Sequence, residues 1–285
     1  MNGRGMERER VGQTAEEQAT FERFSTRYRL GQADLAKEIE RSVCGCDYGG
    51  TSWTTRQEAE TIGDLLELGP GRRLLEVGAG AGWPGLYLAK RSGCDIALID
   101  LPLDGLKVAR QRAAADNLPG VCWAAVADGA ALPFQSGWFD GIVHSDVLCC
   151  LVEKLAVLQS CRRVIRDDGK MVFSVIYITP GLAPADHERA AVSGPPFIAA
   201  EESYPAMLAA AGWTIKIQRD LTADYMTSVG LMRDQEETHA AELTAIFGDA
   251  HASQSLTRRR RAYDALAEGL LKRELFVTEP AGTAV

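Results

Sequence analysis

The sequence contains no apolar run long enough to cross a membrane, which takes roughly 18 residues. Residues 1–17 are polar and charged and lack the apolar stretch of a secretory signal. Basic residues are also not in excess, because 31 Lys and Arg stand against 39 Asp and Glu, for a net charge of −8. An acidic chain has no overall field that attracts nucleic acid or an anionic membrane. These absences predict a cytoplasmic protein without a membrane span that acts on a small molecule rather than on nucleic acid.

The seven cysteines do not form a metal-binding pattern. Cys44 and Cys46 are separated by one residue, Cys149 and Cys150 are adjacent, and no second pair follows at zinc-finger distance. We therefore expect reduced cysteines that pack as small apolar side chains, and no metal site.

Four regions follow from the hydrophobic pattern. We expect residues 1–20 to form a disordered tail and residues 21–68 a helical cap, because aromatic and aliphatic residues recur there at helical spacing. Residues 69–220 and 270–285 are predicted to form the core domain. The segment 221–269 is polar and helical in pattern and too long for a simple connection. It is predicted to be a helical insertion that serves as a substrate lid.

Within the core domain, strand-like and helix-like segments alternate. The predicted strands are Arg73–Val77, Ile96–Asp100, Val121–Val126, Gly141–His144, Met171–Ile178, Trp213–Arg219 and Leu271–Thr278. Helical patterns separate or follow the first five. Such alternation predicts an α/β fold, a largely parallel sheet covered by helices on both faces. Ligands of such sheets bind at the carboxyl ends of the strands.

A glycine-rich loop follows the first predicted strand and contains Glu76, Gly78, Gly80 and Gly82. Glycine permits sharp backbone turns and close approach of a ligand. The helix after Pro84 offers free N–H groups to a carboxylate or a phosphate. A dinucleotide fingerprint that starts at Gly78 would need glycine where Trp83 stands, so the register disfavours a nicotinamide cofactor.

Acidic residues follow the next two strands. The carboxylate of Asp100, which precedes Leu101, can accept hydrogen bonds from both hydroxyls of a ribose. Asp128, which precedes Gly129, can accept a hydrogen bond from an adenine amine. The fourth strand leads into His144 and Ser145, at the mouth of the predicted site.

These segments, from about Leu65 to Thr179, resemble the class I S-adenosylmethionine-dependent methyltransferases. The glycine loop is similar to the family's glycine motif, Asp100 to its ribose acid, and Asp128-Gly129 with residues 132–134 to its adenine motif. Residues 139–143 are similar to its fourth strand and residues 163–170 to its turn into the fifth. The resemblance implies a Rossmann-like seven-stranded sheet with an antiparallel last strand. It also implies S-adenosylmethionine as cofactor and S-adenosylhomocysteine as product.

Within the family, the resemblance favours methyl transfer to a small-molecule amine, hydroxyl or carbon nucleophile. Enzymes that methylate adenine or cytosine carry an Asn/Asp-Pro-Pro-aromatic motif after strand four. Here that position reads His144-Ser145-Asp146-Val147, which argues against methylation of nucleic-acid bases.

Methyl transfer from a sulfonium needs an aligned nucleophile and, for some acceptors, a base. His144 is the candidate base because it lies at a predicted strand end and titrates near neutrality. The alternative is a histidine that bonds locally and shapes the pocket.

Aromatic residues are the candidates for the pocket walls. Tyr48 and Trp53 flank a turn-rich segment that is predicted to fold over the cofactor, and Tyr28, Tyr177 and Tyr225 are candidates to contact the substrate. The basic run from Arg258 to Arg261 is interpreted as a solvated helix face balanced by later acidic residues. Two alternatives to a methyltransferase remain: a noncatalytic cofactor-binding subunit and an NAD-dependent oxidoreductase. A homo-oligomer is also compatible with the sequence.

Overall fold

Seven strands form one mixed sheet in the computed structural model, which describes residues 14–282. The strands are β1 (Arg73–Val77), β2 (Asp95–Asp100), β3 (Cys122–Val126), β4 (Phe139–Ser145), β5 (Ile165–Ile178), β6 (Trp213–Asp220) and β7 (Leu271–Pro280). They lie in the order β3-β2-β1-β4-β5-β7-β6. The first five strands pair in parallel, and β7 runs antiparallel to β5 and β6. An α/β fold with a mostly parallel seven-stranded sheet was predicted from the sequence, and the sheet agrees with it.

Helices cover both faces of the sheet. They are α1 (Ala15–Leu30), α2 (Asp34–Cys44), α3 (Arg56–Leu66), α4 (Gly85–Ser92), α5 (Leu103–Asp116), α6 (Lys154–Val164), α7 (Pro184–Ser193), α8 (Tyr204–Ala210), α9 (Thr222–Thr238), α10 (Ala240–Phe247) and α11 (Asp249–Ala267). None of these helices, within residues 14–282, has the length and apolar character that a bilayer crossing requires.

Alternate residues of each central strand enter opposite cores. Leu75 and Val77 of β1 belong to the core beneath α6 and α8, whereas Leu74 belongs to the core beneath α3, α4 and α5. Successive side chains of a strand point to opposite faces, so a strand that is covered twice must be apolar throughout. This explains why the central strands read as continuous apolar runs.

The first helix begins earlier than predicted. Residues 15–20, which were expected to belong to a disordered tail, form the first turns of α1. Thr14 and Glu17 form a reciprocal capping box at its start, which satisfies free N–H groups of the first turn. The rest of the predicted tail lies outside the described residues.

Helix α7 begins with a proline. It covers Pro184–Ser193. Pro184 at the first helical position is compatible with the helix, because its fixed φ suits a first turn and its missing N–H costs nothing there.

Three helices, α9 to α11, occupy the segment predicted as an insertion. Helix α9 packs against α11 and also against α2, while α1 packs against α5 of the core domain. The amino-terminal helices and the late insertion therefore meet above the same edge of the sheet.

Candidate active site

The loop after β1 is built around glycines with positive φ. Gly78 has a φ of 67° and Gly80 a φ of 51°, a region that other residues rarely adopt. A Cβ added to Gly80 would lie 2.8 Å from the hydroxyl oxygen of Tyr28, and one added to Gly78 would lie 2.5 Å from a methyl carbon of Val147. Both the backbone conformation and the lack of space therefore require glycine.

The Asp100 carboxylate connects this loop to the second strand and to α1. One oxygen accepts a hydrogen bond from the Gly80 N–H at 2.7 Å, and the other accepts one from the Leu101 N–H at 2.7 Å. The Tyr28 hydroxyl donates to Asp100 at 3.3 Å. Burial, followed by the Asp100 charge, raises the pKa of Tyr28 well above its usual value, so the hydroxyl remains a donor.

A cavity of about 680 Å³ opens at this edge of the sheet. Seven residues predicted for the cofactor or substrate line it: Tyr28, Trp53, Gly78, Asp100, Leu101, Ser145 and Tyr225. They come from α1, three strand ends, the loop before α3, and α9. The cavity thus brings together residues that lie almost 200 positions apart in the chain.

Glu76 does not line this cavity. Its side chain is buried, and one carboxyl oxygen accepts a hydrogen bond from the Gly85 N–H at 3.1 Å, at the start of α4. The other oxygen is buried with no hydrogen-bond partner within residues 14–282. Burial raises the pKa of Glu76 to about 8, so this carboxyl is mostly protonated at neutral pH. Its position supports the turn into α4 rather than direct contact with a ligand in the cavity.

Asp128 lies outside the cavity lining as well. Its side chain is exposed and accepts a hydrogen bond from the Ala130 N–H at 2.9 Å, which starts a short 3₁₀ turn that includes Gly129. The Ala127 N–H donates to the Asp100 carbonyl at 3.2 Å, so the two acids follow neighbouring strands at one edge of the sheet. The adenine contact predicted for Asp128 and Gly129 stays a prediction.

The position of His144 contradicts its assignment as a base. The side chain is fully buried and stacks on Phe173, with ring centroids 4.5 Å apart. Neither ring nitrogen has a hydrogen-bond partner among the described residues, and the residue does not line the cavity. Burial lowers the pKa of His144 to about 3, so the ring is neutral at physiological pH. The sequence placed His144 at a strand end, but β4 continues to Ser145 and its alternation turns His144 into the core.

Tyr48 packs beside the cavity rather than lining it. Its ring lies 4.2 Å from the guanidinium carbon of Arg112 and 5.2 Å from the ring of Trp83. The turn that follows is held by Glu40, whose carboxylate accepts a hydrogen bond from the Gly49 N–H at 2.6 Å. Of the pair, Trp53 is the aromatic residue that lines the cavity, and folding of the segment over the cofactor stays a prediction.

The two later tyrosines predicted to contact the substrate lie in different places. Tyr225 lines the cavity and meets Trp53 edge-on, with ring centroids 5.2 Å apart. Tyr177 does not line it and instead packs edge-on against Tyr204 at 6.0 Å. Burial and a hydrogen bond with Glu274 raise the pKa of Tyr177 above its usual value.

Several cavity residues were missed or misassigned from the sequence. Arg27, Arg258, Arg259 and Arg261 line the cavity. The expectation that the basic run is a solvated face balanced by Asp264 and Glu268 is wrong for Arg258 and Arg259, which are half-buried. The acids that do meet this run come from α9, where Glu236 pairs with Arg259 at 3.3 Å and Glu237 with Arg260 at 2.8 Å. A contact between two helices leaves no signal in local sequence spacing.

Comparison with known proteins agrees with this architecture. Residues 75–173 match the family model described as a methyltransferase domain. This segment, about a third of the chain, is similar to methyltransferase domains, and the class I members of that family use S-adenosylmethionine as cofactor.

Curated proteins match the chain over part of their length. The chain is 26% identical over 119 residues to methyltransferase GfsG of Streptomyces halstedii, covering 42% of this chain and 43% of that protein. It is 30% identical over 133 residues to 24-methylenesterol C-methyltransferase 2 of Oryza sativa, covering 47% and 36%. The chain thus spans less than half the length of these relatives.

Among solved structures, Haemonchus contortus phosphoethanolamine N-methyltransferase 2, in complex with phosphomonomethylethanolamine and S-adenosylhomocysteine, superposes with a TM-score of 0.71 at 15% identity. The superposition covers 88% of this chain and 58% of that one. At this identity the likeness concerns the fold.

The residues of the methyltransferase domain fit the cofactor chemically. Asp100 presents a carboxylate to the cavity, and Gly78 lines it with no side chain. The Ser145 hydroxyl is buried and has no hydrogen-bond partner among the described residues. Ser145 lines the cavity, but its hydroxyl oxygen is not exposed to it.

Proposed function

We propose that this protein transfers a methyl group from S-adenosylmethionine to a small-molecule acceptor held in the cavity beside Asp100. One observation carries the proposal: Gly78 of the glycine loop, the ends of three strands and residues of α1 and α9 line a single cavity. Its volume of about 680 Å³ lies within the range of about 300–1,000 Å³ that is typical of small-molecule sites. Donor and acceptor would therefore meet in one chamber.

Different residues would bind different parts of the cofactor. Asp100 would accept hydrogen bonds from the ribose, the glycine loop would contact the amino-acid tail, and Asp128 with Gly129 would contact the adenine. When bound, the cofactor supplies an already activated methyl group, so the protein has mainly to align the acceptor and exclude water.

The helical cap and the helical insertion would choose the acceptor. Tyr28 of α1 and Tyr225 of α9 both line the cavity, and Trp53 lies edge-on to Tyr225. We propose that residues 221–269 act as a lid, because α9 and α11 form one wall of the chamber without being part of the sheet.

Calorimetry and a turnover assay test this function separately. S-adenosylmethionine and S-adenosylhomocysteine should each bind saturably, and a metabolite extract incubated with methyl-labelled donor should yield a labelled small molecule. Binding of NAD(H) with neither sulfonium nor thioether compound bound would overturn the proposal in favour of an oxidoreductase. Cofactor binding without labelled product from any extract would instead indicate a noncatalytic subunit.

A further inference from the structure

One wall of the cavity carries a cluster of arginines that the glycine loop and the acids do not explain. Arg27 of α1 and Arg258 and Arg259 of α11 line the cavity, and Arg23 lies one turn before Arg27. We refer to Arg23, Arg27, Arg258 and Arg259 as the arginine cluster. It arises where the amino-terminal cap meets the late insertion, two segments more than 200 positions apart.

The arginine cluster is poorly neutralised within residues 14–282. Arg259 pairs with Glu236, whereas Arg23, Arg27 and Arg258 make no ion pair with a described carboxylate. The Nε atom of Arg23 is buried and has no hydrogen-bond partner among these residues. Glu16 and Glu17 also line the cavity, but Glu17 is engaged in the capping box with Thr14.

Burial and neighbouring positive charges lower the pKa of two members of the arginine cluster. Burial, followed by the charges of Arg259, Arg258 and Arg23, lowers the pKa of Arg27 to about 9. Burial and Arg259 likewise lower the pKa of Arg258. Among the described residues Glu236 is the one carboxylate that pairs with the arginine cluster. Holding several half-buried cations together with so little counter-charge costs free energy, which a bound anion would recover.

The cavity is therefore polarised. Its sheet end carries the Asp100 carboxylate and Asp146, which is paired with Arg273, and its helical end carries the arginine cluster. The Asp100 carboxylate suits the positively charged sulfonium and amine of the donor. Apolar side chains also line the cavity, among them Phe24, Leu151 and Phe197.

We propose that the arginine cluster binds an oxyanion group, a phosphate or a carboxylate, on a methyl acceptor whose body is apolar. This inference rests on the proposed function, since it deepens the acceptor side of the same cavity. Guanidinium groups bind oxyanions through paired, charge-assisted hydrogen bonds. The apolar walls would hold the remainder of the acceptor and point its nucleophile toward the sheet end.

The test uses the full chain and three probes at matched ionic strength: inorganic pyrophosphate, inorganic phosphate and hexanoate. Titration calorimetry gives the affinity, and the fluorescence of Trp53, whose ring lies 4.7 Å from the guanidinium carbon of Arg259, reports the position. A Trp53→Phe variant identifies its share of the signal. We expect saturable binding of at least one probe, and the preferred probe distinguishes a phosphate site from a carboxylate site.

Two variants of one helix supply the decisive comparison. Arg258→Gln should weaken probe binding at least tenfold, about 1.4 kcal/mol. Arg260→Gln is the matched control, because Arg260 lies two positions away on α11, is exposed and pairs with Glu237. Its affinity for the probe should stay within twofold of the unmodified protein. Equal effects of the two variants, or no saturable binding of any probe, would overturn the proposal.

Two further measurements separate the possible failures. Arg258→Gln should bind S-adenosylhomocysteine normally and keep or raise the melting temperature, because it relieves repulsion. If it does not fold, Arg27→Gln replaces it in the same comparison. Normal S-adenosylhomocysteine binding without probe binding overturns the oxyanion site alone, whereas probe binding without S-adenosylhomocysteine binding overturns the proposed function and with it the acceptor role of the site.

Discussion

Arg273 and Asp146 lie 127 positions apart and form a buried ion pair, with both carboxylate oxygens 3.1 Å from the guanidinium Nε. Arg273 also donates to Glu58 at 2.8 Å and to the Ser174 hydroxyl at 3.2 Å. Asp146 follows β4, lines the cavity and has a φ of +55°, an unusual conformation for a residue other than glycine. Strand β7 thus stabilises, through Arg273, the part of the cavity wall that follows β4.

Replacement of Arg273 by methionine should destabilise the protein strongly. Although burial opposes it, the charges of Asp146 and Glu58 raise the pKa of Arg273, so the guanidinium stays positively charged. Removing the cation leaves two carboxylates without their partner, a loss of about 3–5 kcal/mol. Urea unfolding measures the change, and Lys272→Met on the same strand is the control. A loss below about 1 kcal/mol would show that the network does not stabilise the fold.

Replacement of His144 by phenylalanine should preserve both folding and methyl transfer. The buried ring makes no described hydrogen bond, and phenylalanine can stack on Phe173 in its place. Because the folded-state pKa lies below the unfolded value, wild-type stability is complete above about pH 6.5 and falls as the pH drops toward 3. In melting experiments the stability of the variant should therefore fall less than that of the wild type as the pH drops. A folded variant that binds S-adenosylhomocysteine but transfers methyl groups a hundredfold more slowly would restore the base role.

Replacement of Glu76 by glutamine should remove a pH dependence of stability whose sign is opposite to that of His144. The folded-state pKa of about 8 lies above the unfolded value of 4.5, so stability is complete below about pH 4.5 and is lost as the pH rises through 8. The slope can reach about 1.4 kcal/mol per pH unit. Melting temperatures of both proteins between pH 5 and pH 9 measure this effect. Parallel curves for the two proteins would mean that Glu76 is ionised in the fold.

Replacement of Asp100 by asparagine should weaken cofactor binding at least tenfold. Asparagine lacks the charge and one of the two acceptor oxygens that bind the Gly80 and Leu101 N–H groups. Asp95→Asn, at the opposite end of β2, is the control and should bind S-adenosylhomocysteine as the unmodified protein does. Calorimetry decides the comparison. Equal affinities for the two variants would exclude Asp100 from the cofactor site.

Replacement of Gly80 by alanine should also impair cofactor binding. The added Cβ would lie 2.8 Å from the Tyr28 hydroxyl, which must then move away from Asp100. Gly71→Ala is the matched control, because Gly71 has a φ of +80° but no heavy atom within 4 Å of its added Cβ. Both variants should lose about 1 kcal/mol of stability through backbone strain. A tenfold loss of S-adenosylhomocysteine affinity is expected for Gly80→Ala alone.

Much of the fold could be predicted because its signals are local. The predicted strand of residues 73–77 matches β1, and that of residues 96–100 matches β2 within one residue. A glycine loop directly after a strand, with Asp100 at the end of the next strand, predicts a ligand site at the carboxyl ends of a parallel sheet. In a parallel sheet these strand ends lie at one edge, so the proximity of Gly80 and Asp100 follows from order alone.

Side-chain direction was harder to predict. His144 was placed in the site because the predicted strand stopped there, and one further residue of β4 was enough to turn it into the core. Glu76 lies within the glycine motif, yet its carboxyl points to the start of α4. Because successive side chains of a strand point to opposite faces, an error of one residue in a predicted strand end reverses the predicted direction of a side chain.

By itself, the sequence determined the order of strands and helices in the core domain and the proximity of the glycine loop to Asp100, because these depend on neighbours along the chain. Only the tertiary structure decided how the cavity is closed. Arg27 and Arg258 line the same cavity, and Arg273 pairs with Asp146, through the packing of α1, α11 and the sheet. Such contacts join segments separated by more than a hundred residues, and no local pattern of charge or hydrophobicity encodes which side chains will meet.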